Sequence, residues 1–284
     1  MDKLRIMTNN VWCCWNNEPW WAERGMDCSS EARSKGIARV YSELLPDMVG
    51  WQEGDYKFQR FVPIALGELG IAYTYVFVGG TITPILYNKK KVLPVEARFG
   101  VYPQEVPGYE GEFNNANTKA YTVAAFKVLE TGSMIVFGTT HLWWKSGIPG
   151  TDSYYPHSCE ARAYQMNMFI DAVEELRQKY NCPAVISGDL NDTYHSPAVQ
   201  TAIGRGYLHA HDVAVEHADE RDGWHYCFPD GYDMYENPKP FEEGIDHILV
   251  KGGPEGFVRC FERYTPEYYM TVSDHFPAYI DVEF

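Results

Sequence analysis

Several short apolar runs in this chain stop on a side chain that can bind a cation or move a proton. They stop at Asn10, at Glu53, at His141, at Asp189 with Asn191, and at Asp274 with His275. One polar residue after a strand is ordinarily the start of a loop. A set made only of Asn, Asp, Glu and His, gathered where strands converge on one edge of a sheet sandwich, would line a single pocket. Its chemistry is narrow. Carboxylate and amide oxygens without thiolate suit a hard cation, Mg²⁺ or Mn²⁺. With histidines beside them they fit attack of water on a phosphate ester: a carboxylate deprotonates or orients the water, and an imidazolium meets the developing charge. In ISGDLNDTYH (186–195), Gly188 lets the backbone bend without a Cβ clash. Asp189 and Asn191, two apart in extended geometry, point to one side, and Leu190 points into apolar packing.

The elements that must position these residues are legible as alternating strands and helices. LRIMTNNVW reads as a strand ending at Asn9 and Asn10, and alternation lets only one of that pair face the site. Glu31–Leu45 is a helix with Ile37, Val40, Tyr41, Leu44 and Leu45 on one face, stopped by Pro46. MVGWQE is a buried strand ending on Glu53, and Phe58–Leu69 a second helix. Strands follow at Tyr73–Val78, Pro84–Tyr87, Val92–Phe99, Ala120–Leu129 and Met134–Thr140, the last ending at His141. Glu160–Tyr180 is a long helix, Ala184–Ser187 a strand, Thr201–Tyr207 a short helix, and Ile245–Val250 and Ala278–Phe284 are strands. Helices interspersed with strands at hairpin spacing predict an α/β sandwich of two mixed sheets with outer helices, one unit over residues 1–284.

Composition sets limits. Of 284 residues, 45% are hydrophobic, enough for a substantial core, and the net charge of −15 with pI near 5.0 disfavours a nucleic-acid partner. No run resembles a signal peptide or a membrane-spanning helix. Seven scattered cysteines, an odd number without CxxC, suit reduced thiols in a cytoplasm. Aromatic loops at 104–117, 143–157 and 224–243 flank the motif residues, with Trp143, Trp144, Tyr154, Tyr155, Trp224, Tyr226, Phe228, Tyr232 and Tyr235 offered for stacking.

Taken in order, TNNVW, PDMVGWQE, THL, SGDLND, GIDHILV and VSDHFPAYI resemble the motifs of the endonuclease/exonuclease/phosphatase family and span Asn10 to His275. The resemblance implies a four-layered DNase I-like α/β sandwich and a Mg²⁺- or Mn²⁺-dependent phosphoric ester hydrolase. It makes Glu53 the main metal ligand, with Asn10 helping to hold the metal or the phosphate and Asp274 a further metal-side carboxylate. Asp189 is then the residue that activates water, Asn191 its partner in positioning, His275 the phosphate-contacting histidine, Asp246 the carboxylate orienting it, and His141 a second histidine. Lys119 sits where many members carry a basic residue, and with Trp143 and Arg162 it is a candidate for substrate binding. Asp192, His157, His195 and His247 read as loop or surface residues.

The departures from the family are informative. Val11 and Trp12 follow the first Asn where apurinic endonucleases carry an acidic residue, and Asp192 and Thr193 stand where the inositol polyphosphate 5-phosphatases carry Tyr-Arg. The expected substrate is therefore a small organic or lipid-head-group phosphate. A nuclease is the alternative, and a catalytically inactive binding module of the same fold is a third.

Overall fold

The computed structural model describes residues 1–13, 27–71, 74–80, 82–218 and 244–284. Strand β1 (Lys3–Asn10) pairs in parallel with β2 (Met48–Gln52) and antiparallel with β13 (Ala278–Glu283). These three form the middle of a seven-stranded sheet in the order β10-β12-β13-β1-β2-β4-β3, completed by β3 (Tyr75–Val78), β4 (Ile85–Asn88), β10 (Glu216–His217) and β12 (Val258–Arg263). The second sheet has the order β5-β6-β7-β8-β11-β9, built from β5 (Val92–Val101), β6 (Ala120–Val128), β7 (Met134–His141), β8 (Ala184–Asp189), β9 (Leu208–His209) and β11 (Asp246–Lys251). Both are mixed: β1 with β2, β10 with β12, and β7 with β8 run parallel, and the other pairs run antiparallel.

Packing follows from strand alternation. Ile6, Met48 and Ile280 of the first sheet meet Phe126, Phe137, Val185 and Ile248 of the second in a core between the sheets. The outer face of the first sheet carries Met7, Val49 and Trp51 onto Ile37, Val40 and Tyr41 of α1 (Ser30–Leu44) and onto Phe58 and Val62 of α2 (Tyr56–Glu68). On the far side, Val136 and Ile186 pack on Met166, Phe169 and Val173 of α3 (Ser158–Tyr180). The result is four layers, helix–sheet–sheet–helix, the α/β sandwich expected from the sequence.

Local chemistry sets the ends of the helices. The Ser29 hydroxyl accepts from Ala32 N–H at the start of α1, and Asp55, just past Glu53, accepts from Lys57 and Phe58 N–H to start α2. The helix expected at Thr201–Tyr207 instead spans Pro197–Gly204 (α4). Proline fits the first helical turn, and Gly206 (φ 85) turns the chain away, so the buried Tyr207 lies outside the helix. The alternation in β12 went unread because its polar residues interrupt the apolar pattern, Arg263 among them being buried. Among the described residues no helix is long and apolar enough to cross a membrane.

Candidate active site

Sheet register does much of the assembly. Ala120 of β6 lies opposite His141, His141 opposite Asp189, and Asp189 opposite Asp246. The last residues of β7 and β8 and the first residue of β11 therefore form one rung, and directly opposed residues project to the same face. The close fit of β8 on β7 requires Gly188, where a Cβ would lie 2.0 Å from the Thr140 carbonyl oxygen.

The other sheet supplies the opposing residues. Gln52, wholly buried at the end of β2, donates from Nε2 to Thr139 Oγ1 of β7 (2.7 Å) and to Thr8 Oγ1 of β1 (3.1 Å). This polar stitch between the sheets lies immediately before Glu53. Glu53 then takes a left-handed backbone (φ 58) and accepts from Cys13 N–H at 3.0 Å. On β1 the choice between two asparagines is decided by alternation. Asn9 turns outward to Tyr41 and Tyr269 (2.9 and 2.8 Å), whereas Asn10 Nδ2 donates to Asp189 Oδ2 at 2.9 Å. Asn10 Oδ1 accepts from Trp12 N–H, and the buried Arg33 of α1 secures the same loop by donating to the Val11 and Trp12 carbonyls and to Val272 O.

The 273–275 strap closes the ring. Ser273 Oγ donates to Asn10 O (2.7 Å) and accepts from His275 N–H (3.2 Å). His275 Nδ1 meets Asp246 Oδ2 at 2.6 Å, and its Nε2 stands 3.8 Å from Asp189 Oδ2 and 3.9 Å from Asp274 Oδ1. His141 Nε2 is 3.3 Å from the same Asp189 oxygen and 2.6 Å from Lys119 Nζ. Asn191 does not continue the strand as the sequence suggested. It is left-handed (φ 50), with its N–H on Asp189 Oδ1 (2.9 Å) and its Nδ2 on Leu142 O (3.1 Å). The stretch is an Asx-type turn that still brings both side chains to one cavity, with Leu190 buried behind.

That cavity, about 630 Å³, is lined by Glu53, Lys119, His141, Asp189, Asn191, Asp274 and His275, together with Trp12, Cys13, Ile82, Asn115, Ala116, Thr118, Trp144 and Ile245. Among the described residues, left-handed non-glycine backbone concentrates here, at Trp12, Glu53, Ala116 and Asn191. Such strain persists where the surroundings over-determine it, and it clusters at functional sites.

Burial and like charge set the proton affinities. Burial, with Asp246 adding to it, pushes Asp189 up to about 6. Burial, reinforced by Glu53 and Asp189, pushes Asp274 up to about 7. Burial also works against Glu53, but Lys119 and the Cys13 N–H outweigh it and hold this carboxyl below its ordinary value. Burial opposes charge on His275 too, yet Asp246 and Asp274 raise it well above the usual imidazole range, so it stays cationic. His141, desolvated beside Lys119 and His275, is held well below that range and is neutral.

The profile of the endonuclease/exonuclease/phosphatase family matches residues 10–275. The chain belongs to the endonuclease/exonuclease/phosphatase family. Solved structures agree on the fold. A family protein from Bacteroides thetaiotaomicron is 18% identical, with 99% of this chain and 95% of that one covered at a TM-score of 0.76. A mannosyl-6-phosphatase from the same organism is 20% identical over 99% and 100%, with a TM-score of 0.74. D. rerio TDP2 complexed with single strand DNA product is 15% identical over 100% of both chains, with a TM-score of 0.67. No curated protein matches the chain.

Members of this family are generally dependent on a divalent metal. Among the described residues no three His, Cys, Asp or Glu close into a cage for an ion. Mg²⁺ asks for less, since it keeps several waters and takes one or two carboxylates. Glu53 and Asp274 offer all-oxygen donors at one cavity, and repulsion among the carboxylates there is what a cation would relieve. The donor set fits. Asn10, expected as a metal-side amide, spends its amide on Asp189 and on the Trp12 N–H, and so orients Asp189.

Two expected substrate contacts lie away from the cavity. Arg162 is buried, donating to Trp143 O (3.3 Å), Lys145 O (2.6 Å) and Asp192 Oδ1 (3.2 Å). Helical spacing shows that a residue faces the body of the protein and says nothing of which loop it reaches. Trp143 is 2% exposed, packed on Phe113 and Tyr155. Its neighbour Trp144 lines the cavity instead. Asp192 and His247, read as loop or surface residues, are buried: His247 Nε2 bonds Asp192 O at 2.8 Å. The aromatic positions 224–235 lie outside the described residues. Gln52, Arg33 and the 115–118 turn were missed. The one available signal was the Gln beside Glu53, a polar residue inside an otherwise apolar strand.

Proposed function

We propose that the chain is a single catalytic unit that hydrolyses phosphate esters with a divalent cation, Mg²⁺ or Mn²⁺, on a small organic or lipid-head-group phosphate. The observation that carries this reading is the surroundings of Asp189 Oδ2. An amide at 2.9 Å and two imidazole nitrogens at 3.3 and 3.8 Å converge on one buried carboxylate oxygen. A base whose proton affinity lies near neutral pH is suited to taking the proton of an attacking water.

In this reading Asp189 takes that proton as the water oxygen attacks phosphorus. Asn191 and Asn10 fix the position of the base and the water. The imidazolium of His275, held by Asp246, donates to a phosphoryl oxygen and stabilises its growing charge, and Lys119 adds a second cation. His141, neutral, accepts from Lys119 Nζ through Nε2 and keeps that cation in place. Glu53 and Asp274 would hold the cation. When bound, it neutralises phosphate charge and lowers the barrier to attack. The phosphorus–oxygen bond to the leaving group breaks, the departing oxygen takes a proton from solvent and leaves as an alcohol, and Asp189 returns the proton of the attacking water to solvent.

The similarity to a mannosyl-6-phosphatase and to TDP2 with a DNA product supports phosphate-ester chemistry of either kind. The scarcity of cations favours the small substrate: among the described residues Lys119 is the one Lys or Arg lining the cavity. The test is turnover of p-nitrophenyl and bis-p-nitrophenyl phosphate with Mg²⁺ or Mn²⁺, with excess chelator, and with Glu53→Gln. Chelator should abolish activity, added metal should restore it, and Glu53→Gln should lower it by orders of magnitude. Full activity in chelator would overturn the assignment, and failure to hydrolyse either ester would leave a binding module.

A further inference from the structure

The groups assigned to phosphate and water leave part of the cavity wall unused. Trp144, Asn115, Ala116 and Thr118 line the same cavity, and the proposed chemistry needs none of them. Trp144 is 44% exposed, with Lys145 Nζ 5.6 Å from its ring centroid and the Trp143 ring 6.2 Å away, and it presents indole surface to the cavity. It is held there by its neighbour. Trp143 is anchored from its N–H to Gln165 Oε1 (2.8 Å) and from Nε1 to Ser158 Oγ (3.2 Å), so the residue after it has little freedom.

The polar side of the wall is equally fixed. Residues 115–118 form a tight turn, with Thr118 N–H on Asn115 O at 3.2 Å and left-handed Ala116 (φ 50) and Asn117 (φ 56) between them. A mirror-image turn is normally left to Gly, Asn or Asp, so alanine there costs energy. The buried Asn114 clamps its base by donating to Tyr102 O (2.6 Å) and Lys119 O (2.9 Å) and accepting from Lys119 N–H (2.9 Å). The turn is thus tied to the lysine of the phosphate site; it presents the exposed Asn115 amide, while the half-buried Thr118 hydroxyl, which donates to Asn115 O (3.0 Å), offers its oxygen as an acceptor.

A flat aromatic face beside neutral amide and hydroxyl groups is the surface that a pyranose ring matches. The apolar C–H face of the sugar covers the indole, and its hydroxyls bond the amide and hydroxyl. A nucleic-acid strand asks for a track of cations, and among the described lining residues the cations are Lys119 and the His275 imidazolium, both assigned to the phosphate itself. We propose that Trp144 and the Asn115–Thr118 turn form a sugar subsite, so that the ester cleaved is a sugar phosphate. This rests on the phosphate-ester reading above. One water is consumed, the bond between phosphorus and the sugar oxygen breaks, that oxygen takes a proton from solvent as Asp189 returns the proton of the water, and free sugar and inorganic phosphate leave.

The test is release of inorganic phosphate with Mg²⁺ or Mn²⁺ from hexose 1- and 6-phosphates, from glycerol 3-phosphate, which has no ring, and from a single-stranded DNA oligonucleotide assayed for cleavage. The wild-type protein should prefer a hexose phosphate. Trp144→Ala should lower kcat/KM for it by roughly 10- to 100-fold, the size of a lost stacking contact, mainly through KM, and should leave glycerol 3-phosphate within about threefold. Trp144→Phe should recover most of the loss, because a ring remains. Calorimetric binding of the hexose phosphate to Asp189→Asn protein should weaken by the same factor when Trp144→Ala is added. Equal losses on both phosphates, or cleavage of the oligonucleotide alone, overturn the sugar subsite and leave the hydrolase reading standing. No turnover of any ester overturns both.

Discussion

Asp189 carries the heaviest assignment of any residue in this chain, and its environment says how it can be tested. In Asp189→Asn the amide oxygen keeps a partner for Asn10, the negative charge is lost, and the other position becomes an NH₂ that no longer accepts from Asn191 N–H. Turnover should fall by about 10² to 10⁴, the usual worth of a general base. The thermal midpoint should hold or rise, because a buried carboxylate beside Asp246 has gone. Near wild-type phosphate release from this variant would remove Asp189 from the mechanism. The pH profile supplies a second test. The base form of Asp189 exists above about 6, so activity should fall as pH drops through that value. His275 must be protonated, and its raised proton affinity owes much to Asp246. Asp246→Asn lowers that affinity, so the alkaline limb should move to lower pH and the rate should drop. A profile that does not move would reduce Asp246 to the first residue of a strand.

At the scale of elements, the site depends on how tightly β7 and β8 approach. Gly188→Ala places a methyl group 2.0 Å from the Thr140 carbonyl oxygen, and the strands must part. A loss of about 1–3 kcal/mol in unfolding free energy is expected, with activity lost alongside because His141 and Asp189 face each other across that pair. Denaturant unfolding would measure it, and an unchanged midpoint would mean the strands accommodate the methyl group. Most elements were legible in the sequence. Helical periodicity marked α1 through Ile37, Val40 and Tyr41, all fully buried. Apolar runs marked β2, β7 and β8. What escaped was set by contacts distant in sequence: β12, whose buried Arg263 donates to the Asp246 carbonyl, and the left-handed turn at Asn191, held by the Leu142 carbonyl.

Across the whole molecule, two linkages are open to measurement. A cation held at Glu53 and Asp274, as proposed, would add stability by mass action, about 2.7 kcal/mol at a hundred times its Kd. Mg²⁺ or Mn²⁺ should therefore raise the thermal midpoint of the wild-type protein and not that of Glu53→Gln. Equal increments in both proteins would place the ion elsewhere. Glu174, on α3, joins Arg177 (2.9 Å), Lys251 (3.1 Å) and Tyr207 (2.9 Å), so it ties a helix to the end of β11. Burial opposes its charge, but these partners win and lower its carboxyl to about 2. A depressed carboxylate stabilises the fold above its unfolded value, near 4.5, and this is lost as pH falls through about 2. Glu174→Gln should be less stable than wild type at pH 7, and the gap should narrow below about pH 4.5. A gap independent of pH would mean that the pairing carries no net stability.

The sequence alone determined the layers, because burial on one face imposes periods of two and of 3.6 that survive in the order of residues. It also singled out the candidates for chemistry, since Glu53, His141, Asp189, Asp246 and His275 each stand at or beside the end of an apolar run. The tertiary structure decided which way they face. Asn10 rather than Asn9 enters the site because β1 buries Asn9 under Tyr41 and Tyr269. Trp144 rather than Trp143 reaches the cavity because Gln165 and Ser158, on α3, take hold of the first. Arg162 is drawn to Asp192 and to loop carbonyls for the same reason. Each choice turns on a hydrogen-bond partner at least fifteen residues away along the chain, and neighbouring residues of one type carry no signal of which one that partner will claim.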